Sequence, residues 1–330
     1  MSDPDDGVRS PRQHADPVVT SAPPDPKPDT TATPPGSDAE AITTKQRTQL
    51  ALIRRRFLRH RAAMVSLFVF VLIVLFAFIG PLLWPWDHMV SMEIPSSQPP
   101  SWEHPFGTTS AGNDVFAQVM RGTQQSLQVA FTVGLLTVVI GALWGTTAGY
   151  FRGKVDAVMM RIVDVLLIIP LLVLVVAIAG SARGGTSWWA VALIIGFFGW
   201  TTAARVVRGV VLSLREQEFV EASKAMGASD TRIIFTHLLP NAAGPIIVAG
   251  TLAIALAILA EAGLSFLGFG IQPPDTSLGL LVERARTAAR TRPWLFYPPG
   301  FMIVLIALTI NFIGDGLRDA LDPRQTMARR

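Results

Sequence analysis

The chain has 330 residues, of which 50% are hydrophobic and only 16% are charged, and it contains no cysteine. Because charged residues make up about a quarter of an average soluble domain, this balance is typical of a membrane protein, and a chain without cysteine excludes disulfide and thiolate chemistry. The five histidines show no metal-ligand spacing, and Gly153-Lys154 lacks the other residues of a phosphate-binding loop. The net charge of +4 comes from arginines that flank apolar runs. We therefore predict no cofactor in this chain and no nucleic-acid partner.

The sequence before the first apolar run divides into two parts. Residues 1–44 are rich in Pro, Asp, Ser and Thr and nearly lack large apolar residues, which predicts a disordered cytoplasmic tail. Residues 45–61 have the pattern of a basic amphipathic helix, with Leu50, Ile53 and Phe57 on one face and arginines around the rest. This helix either lies on anionic lipid or marks the cytoplasmic flank of the span that follows.

Six apolar runs are each long enough to cross a membrane as a helix, which takes about twenty residues. We predict spans at 62–84, 127–150, 158–180, 187–208, 242–268 and 299–318. An extracytoplasmic loop over 85–126 should follow the first span. The other five spans should form a core over 127–318, which is followed by a cytoplasmic C-terminus at 319–330.

Positive charge predicts the orientation of these spans. Arginine and lysine residues concentrate before the first span, between the fourth and fifth spans and after the last one, and cytoplasmic flanks of membrane helices carry such an excess. Both termini and the polar loop 216–240 should therefore lie in the cytoplasm. One segment opposes this bias, because residues 276–292 carry four arginines on the predicted outer side: Arg284, Arg286, Arg290 and Arg292. We interpret it as a short outer helix with a role of its own.

Small residues in the second and third predicted spans indicate how these helices pack. Gly141, Gly145 and Gly149 form two overlapping GxxxG steps on one helix face. Such steps let helix backbones approach closely, either within this chain or at an interface between subunits. Pro170 lies inside the third span and should kink it.

Three polar side chains are expected within the membrane: Asp164, Glu261 and Asn311. Asp164 follows Arg161 by three residues on the same helix face, which favours a local ion pair. Glu261 lies deeper in its span, where an acid is costly and needs a polar partner or a cavity. Both a structural role for Glu261 and a place on a transport pathway remain open.

The polar stretch 216–240 has the pattern of two short helices between membrane spans, which places it at an aqueous surface. The first helix should end near Met226, because Gly227 follows at a position that favours positive φ. Ser229 fits the N-cap of the second helix, and Pro240 should mark its end.

Several motifs together resemble the C-type permease subunit of dipeptide, oligopeptide and nickel ABC importers, over about residues 54–325. The pattern Glu-Ala-Ser-x-x-x-Gly that starts at Glu221 resembles the coupling loop of these permeases. The other matching stretches are 55–61, 104–108 with Gly112, Asp114 and Val115, Gly122 with Ser126 and Leu127, 237–241, 261–268, 314–319 and 321–324. The sequence departs from the family at Thr109, Asn113 and Gln124 on the predicted outer face, and Ser223 replaces an alanine of the coupling pattern.

The resemblance implies an all-α membrane protein with the type I ABC importer permease fold, six transmembrane helices and a cytoplasmic coupling helix, located in a bacterial inner membrane. It also implies a homologous second permease subunit that completes a heterodimer and encloses the pathway. Two ATPase subunits, or one fused ATPase, would dock below, and an extracytoplasmic substrate-binding protein would deliver solute. ATP and Mg²⁺ then belong to the ATPase subunits, and this chain catalyses no bond chemistry. Dipeptides and oligopeptides fit best as solutes, with nickel complexes and glutathione as alternatives.

The resemblance to ABC importer permeases, together with the polar residues of the spans, predicts three groups of site residues. The residues expected to couple the chain to the ATPase are Glu221, Ala222, Gly227, Ser229, Arg232, Leu239 and Pro240. The residues expected to make outer-loop contacts are His104, Phe106, Gly107 and Asp114. Glu261, Asp164 and Asn311 are the intramembrane polar or pathway residues.

Two other classes of function compete with this interpretation. A DNA-binding helix–turn–helix shares the spacing around Gly227, but its second helix would offer only Arg232 and His237 as donors to base edges. A secondary transporter would need a midplane ion site and broken helices in related halves, for which Glu261 and Asp164 are the available acids.

Overall fold

The computed structural model of the protein describes residues 49–89, 95–181 and 187–321. The predicted tail 1–44 lies outside the described residues, as do positions 45–48 of the predicted basic helix and all but three residues of the predicted C-terminus 319–330. Within the described ranges, every element in the order is a helix.

In chain order, the α-helices of the described residues are α1 (Gln49–Arg59), α2 (Arg61–Phe78), α3 (Gly80–Leu83), α4 (Val115–Phe151), α5 (Gly153–Ile168), α6 (Leu171–Ser181), α7 (Trp188–Leu214), α8 (Glu218–Ala225), α9 (Asp230–Arg232), α10 (Leu239–Asn241), α11 (Ala243–Phe266), α12 (Leu278–Ala285) and α13 (Pro293–Leu321). A π-helix at Ile233–Leu238 joins α9 to α10, and a 3₁₀ turn at Arg286–Ala288 follows α12.

Five of these helices are long and apolar enough to cross a membrane: α2, α4, α7, α11 and α13. They coincide with five of the six predicted spans, but α4 begins at Val115, twelve residues before the predicted start at 127. The predicted loop 85–126 is therefore partly helical. Hydropathy alone missed this start of α4 because it is polar, and its buried Gln118, Thr123 and Gln125 are enclosed by protein.

The third predicted span, 158–180, is divided into α5 and α6 instead of kinked. Ile169 has an extended backbone with ψ of 117°, and α6 begins after Pro170. The residue before a proline is pushed out of the helical region by the pyrrolidine ring. Here that restriction ends the helix completely, so this part of the chain consists of two shorter helices.

The centre of the structure is α4, which packs between α7 and α11. Gly141, Gly145 and Gly149 face α7, and a β-carbon on Gly145 would lie 2.4 Å from the Ala204 carbonyl oxygen. The three glycines therefore allow packing within this chain, the first of the two alternatives. On the opposite side, a β-carbon on Gly134 would meet Ile254 of α11 at 2.3 Å.

The start of the described chain packs against its end. α1 stops at Arg59, and the imidazole of His60 caps α2 by accepting a hydrogen bond from the Ala63 backbone N–H at 3.1 Å. A β-carbon on Gly316 of α13 would lie 2.3 Å from the Ala63 β-carbon. Contact of the basic helix with lipid remains a prediction, because no membrane is present.

Candidate functional site

The polar segment that follows α7 is built around a sharp reversal at Gly227. α8 ends with Met226 as its C-cap, and Gly227 has φ of +79°. The Gly227 backbone N–H donates to the Lys224 carbonyl at 2.9 Å, and the Ala228 N–H donates to the Ser223 carbonyl at 3.1 Å. These two bonds form a Schellman motif, so the predicted helix end and positive φ at Gly227 are confirmed.

The second helical part starts where the sequence predicted and ends later. The Ser229 hydroxyl accepts a hydrogen bond from the Arg232 backbone N–H at 3.4 Å, as an N-cap does. The helical run continues through the π-helix into α10, and the boundary lies at Ala242 rather than at Pro240. Pro240 lies at the start of α10, directly after the π-helix.

We call residues 216–241 the coupling segment. Its inner side is anchored in an apolar cluster, in which Val220, Ile233 and Leu238 are fully buried against residues of α4, α7 and α11. The Ser223 hydroxyl is also buried and donates to the Phe219 carbonyl at 2.7 Å. The family's alanine at this position is thus replaced by a side chain whose polar group is satisfied locally.

The outer side of the coupling segment is exposed. Among the predicted coupling residues, Glu221, Ala222, Gly227, Ser229, Arg232 and Pro240 are exposed, and Leu239 is half-buried. Three apolar residues that were not predicted from the sequence are also exposed in this segment: Phe219, Met226 and Phe235 are 38%, 81% and 55% exposed. Exposed large apolar side chains beside charged ones are typical of a protein-binding surface.

Glu261 lies in the interior of the helix bundle and is fully buried. The Ser126 hydroxyl of α4 donates to Glu261 Oε2 at 2.9 Å, and the Ser265 hydroxyl of α11 donates to Oε1 at 2.7 Å. Ser277, the N-cap of α12, donates through its hydroxyl to Ser265 Oγ at 3.1 Å. This arrangement supports the structural alternative, because the carboxyl group joins three elements through hydroxyl donors.

The other predicted intramembrane acid has a different partner from the expected one. Asp164 pairs with Arg205 of α7, with Nη2 at 2.5 Å from Oδ1, and not with Arg161. A second ion pair, which was not predicted from the sequence, is bidentate. Arg208 Nε and Nη2 lie 2.5 and 2.6 Å from the two carboxylate oxygens of Asp156. The paired residues are far apart in the sequence, so neither pair could be predicted from local spacing. Together the two ion pairs link α5 to α7. Asn311 of α13 is half-buried.

The predicted outer-loop residues form the internal framework of the loop before α4. Asp114 is fully buried, caps α4 by accepting from the Ala117 N–H at 3.0 Å, and lies 2.9 Å from His104 Nδ1. Phe106 packs on Phe116, with ring centroids 5.1 Å apart. Gly107 has φ of +67°, and a β-carbon there would lie 2.5 Å from the Gln98 carbonyl oxygen.

Among the cavities in the described structure, one lies beside the break between α5 and α6 and another beside the loop before α4. One, of about 510 Å³, lies beside the break between α5 and α6 and is lined mostly by apolar residues of α4, α7 and α11, together with Thr137, Thr201 and Thr202. A smaller one, of about 170 Å³, lies between the loop at Thr109–Asn113 and α12, where Arg284 contributes to its wall. In the described part of the chain, no group of three or more His, Asp or Glu residues could hold a metal ion.

Two family models match this chain. The binding-protein-dependent transport system inner membrane component matches residues 138–327, and the N-terminal transmembrane domain of oligopeptide transport permease C matches residues 48–100. The first match covers more than half of the 330 residues. The chain therefore belongs to the family of inner-membrane components of binding-protein-dependent transport systems, and it is a permease subunit and not itself an enzyme.

Curated relatives match over most of their own length. The oligopeptide transport system permease protein OppC of Mycobacterium tuberculosis H37Rv is 42% identical over 279 residues, which is 84% of this chain and 96% of the relative. OppC of Bacillus subtilis 168 is 38% identical over 288 residues, or 87% of this chain and 93% of the relative.

A solved structure shares the architecture. An inward-facing conformation of the MetNI methionine ABC transporter matches with a TM-score of 0.51 and 22% identity, and covers 62% of this chain and 96% of that one. The predicted type I importer permease fold is confirmed.

Proposed function

We propose that this chain forms half of the translocation pathway of an ATP-driven importer of dipeptides or oligopeptides, and that the coupling segment docks onto an ATPase subunit. The observation that carries the proposal is the two-sided build of the segment. Its inner side is fixed in an apolar cluster of the bundle, while Glu221, Ala222 and Gly227 are exposed beside Met226. A segment that is packed against the bundle on one side and exposed on the other can bind a partner and transmit the partner's movement to the bundle.

The chemistry of that surface suits a protein partner. Phe219, Met226 and Phe235 supply apolar area, and such side chains are enriched in the buried centres of protein interfaces. Glu221 supplies a charge beside them. ATP and Mg²⁺ would be bound by two ATPase subunits, or by one fused ATPase, and this chain would contribute no group to hydrolysis.

The pathway would be completed by a homologous second permease subunit. The 510 Å³ cavity is lined mostly by apolar residues of α4, α7 and α11, and its polar side chains are threonines. A lining with few charges suits solutes of varied side chains, because it makes no demand for a specific ionic partner. The oligopeptide names of the relatives support peptides as the solute class, with nickel complexes and glutathione as alternatives.

A substrate-binding protein would deliver solute at the opposite end of α4. There, Ser110 and Ala111 are exposed at the mouth of the 170 Å³ cavity, next to Arg284. His104, Phe106, Gly107 and Asp114 would act indirectly, by holding this loop in shape. We place both termini in the cytoplasm and this loop outside, in a bacterial inner membrane.

Purification in mild detergent followed by reconstitution tests the proposal. ATPase subunits should co-purify with the chain, and vesicles that contain the complex should take up a mixed short-peptide library only when ATP and the substrate-binding protein are supplied. Uptake should persist when ionophores collapse ion gradients. Uptake that needs an ion gradient and no ATPase subunit would instead establish a secondary transporter, and uptake of nickel complexes or glutathione alone would replace the peptide assignment.

A further inference from the structure

Tyr150, in the last turn of α4, lies against the coupling segment. Its side chain is 4% exposed, and its phenolic hydroxyl donates a hydrogen bond to Asp230 Oδ1 at 2.6 Å. Asp230 is the first residue of α9, directly after the N-cap Ser229. A hydrogen bond to a carboxylate is stronger than one between neutral groups, so this contact joins α4 to the second helical part of the segment.

Tyr150 also contacts the residue that follows α7 and a residue of α8, both of which come before α9 in the chain. The Arg215 guanidinium carbon lies 5.6 Å from the centroid of the Tyr150 ring, and Lys224 Nζ lies 5.3 Å from it, within the range of cation–π attraction. Arg215 Nη1 also donates to the Tyr150 backbone carbonyl. Arg215 follows α7, Lys224 lies on α8 and Asp230 opens α9. One side chain therefore meets three successive parts of the chain on both sides of Gly227.

We propose that Tyr150 is a positioning residue for transport, which locks the coupling segment to α4 so that a displacement of the segment moves α4 with it. The proposal rests on the proposed function. It deepens that function by naming the contact through which movement would enter the bundle. From α4 the movement has a direct route to α7, because the backbones of the two helices are in close contact along Gly141, Gly145 and Gly149.

The hydroxyl separates this role from simple packing. Phenylalanine at position 150 would keep the ring, the apolar contacts and the two cation–π contacts, and would lose only the bond to Asp230. A residue that merely filled space would tolerate that change. A residue that transmits displacement would not, because Asp230 holds the start of α9 to the bundle through this hydroxyl.

The test compares Tyr150→Phe with wild type in the complete transporter, reconstituted in vesicles with ATPase subunits, second permease and substrate-binding protein. Peptide uptake per ATP hydrolysed should fall about tenfold, the change expected when one charge-assisted hydrogen bond is lost. Subunit stoichiometry should stay at the wild-type value, and the thermal unfolding midpoint should fall by only a few degrees, as the loss of one hydrogen bond allows. The matched control is Tyr297→Phe at the only other tyrosine, which is 63% exposed and should change nothing.

A double-mutant cycle assigns the effect to the pair. Asp230→Ala removes the same hydrogen bond, so the double variant should couple no worse than the weaker single variant. Normal coupling in Tyr150→Phe, or fully additive losses in the cycle, would overturn the proposal. Loss of ATPase subunits from the Tyr150→Phe complex would overturn it too, because Tyr150 would then shape the docking surface rather than pass on its movement. A wild-type complex without ATP-driven uptake would refute the proposed function instead.

Discussion

At the scale of single residues, the buried acid Glu261 shows how a costly group is made tolerable. Its two oxygens accept from the hydroxyls of Ser126 and Ser265, and Ser277 extends the chain of bonds to α12. The sequence motif indicated that an acid lies deep in a span, but it did not indicate the donors. Two of the three serines are far from Glu261 in sequence, and only the fold brings them within hydrogen-bonding distance.

We expect Glu261→Leu to destabilise the permease because it leaves buried hydroxyls without their acceptor, at about 1–3 kcal/mol for each unsatisfied group. Glu261→Gln keeps an acceptor and should lose less. Thermal unfolding in detergent, followed by size-exclusion chromatography, measures both. A Glu261→Leu permease that unfolds at the wild-type temperature but cannot transport would contradict the structural role and place Glu261 on the pathway.

At the scale of helices, the pattern of small residues was the most informative sequence signal. The GxxxG steps predicted close approach, and α4 and α7 do meet along them. Long-range pairing was less accessible, because the partner of Asp164 is Arg205, which lies 41 residues away rather than three. At Pro170 the sequence predicted a kink, and the proline instead ends the helix. The start of α4 was missed for a different reason. Polar side chains with partners inside the protein can extend a helix that hydropathy ends.

Two glycine-to-alanine variants test the α4–α7 contact. Gly145→Ala should lower stability because the new methyl group would lie 2.4 Å from the Ala204 carbonyl oxygen and 2.8 Å from the Val207 β-carbon. The control, Gly209→Ala, lies in α7 with nothing within 4 Å of the added atom, and should be neutral or stabilise by up to about 1 kcal/mol through helix propensity. The unfolding temperature should therefore fall for Gly145→Ala and should stay level or rise for Gly209→Ala. Equal shifts would indicate that the two helices separate readily.

Across the whole molecule, the coupling segment and the loop before α4 must lie on opposite sides of the membrane if one binds an ATPase subunit and the other a substrate-binding protein. α4 spans the distance between them, since it starts beside Asp114 and ends beside the coupling segment at Tyr150. The charge pattern predicted the same arrangement from the sequence, with both termini on the side of the coupling segment.

Introduced cysteines measure this topology directly, because the sequence has no cysteine of its own. Ser229→Cys and Ala328→Cys should react with an impermeant maleimide only in inverted vesicles, and Ser110→Cys only in intact cells. Ser229 and Ser110 are exposed in the folded chain. The chain is expressed without ATPase subunits for this test, so that no docked partner covers Ser229 and lack of reaction reflects sidedness. Labelling of Ser229→Cys in intact cells would refute the docking of an ATPase on this segment.

The N-terminal tail gives a second prediction for the whole molecule. Deletion of residues 1–40 should leave assembly and peptide uptake near wild-type levels, because this stretch offers almost no apolar surface for docking. Uptake rates compared at equal expression check this. A large loss of uptake would reveal a specific partner for the tail.

If the coupling segment transmits the action of the ATPase, Gly227→Val should uncouple the transporter. Valine at φ of +79° strains the backbone by about 1–3 kcal/mol. Apart from the two sequence neighbours, no described residue lies within 4 Å of the added β-carbon, so we expect the main new contact of the valine to be with a docked partner. Gly268→Val is the matched control, because Gly268 has φ of +84°, the same free space, and a position outside the segment.

The measurement is receptor-stimulated ATP hydrolysis, peptide uptake and subunit stoichiometry of the reconstituted complex. We expect the Gly227→Val permease to insert and to pair with its sister subunit but to show no uptake. It should either lose its ATPase subunits or hydrolyse ATP without response to the loaded receptor. Gly268→Val should have a similar backbone strain but keep receptor-stimulated ATP hydrolysis and peptide uptake at wild-type levels. Normal stoichiometry, stimulation and uptake in Gly227→Val would contradict the claim.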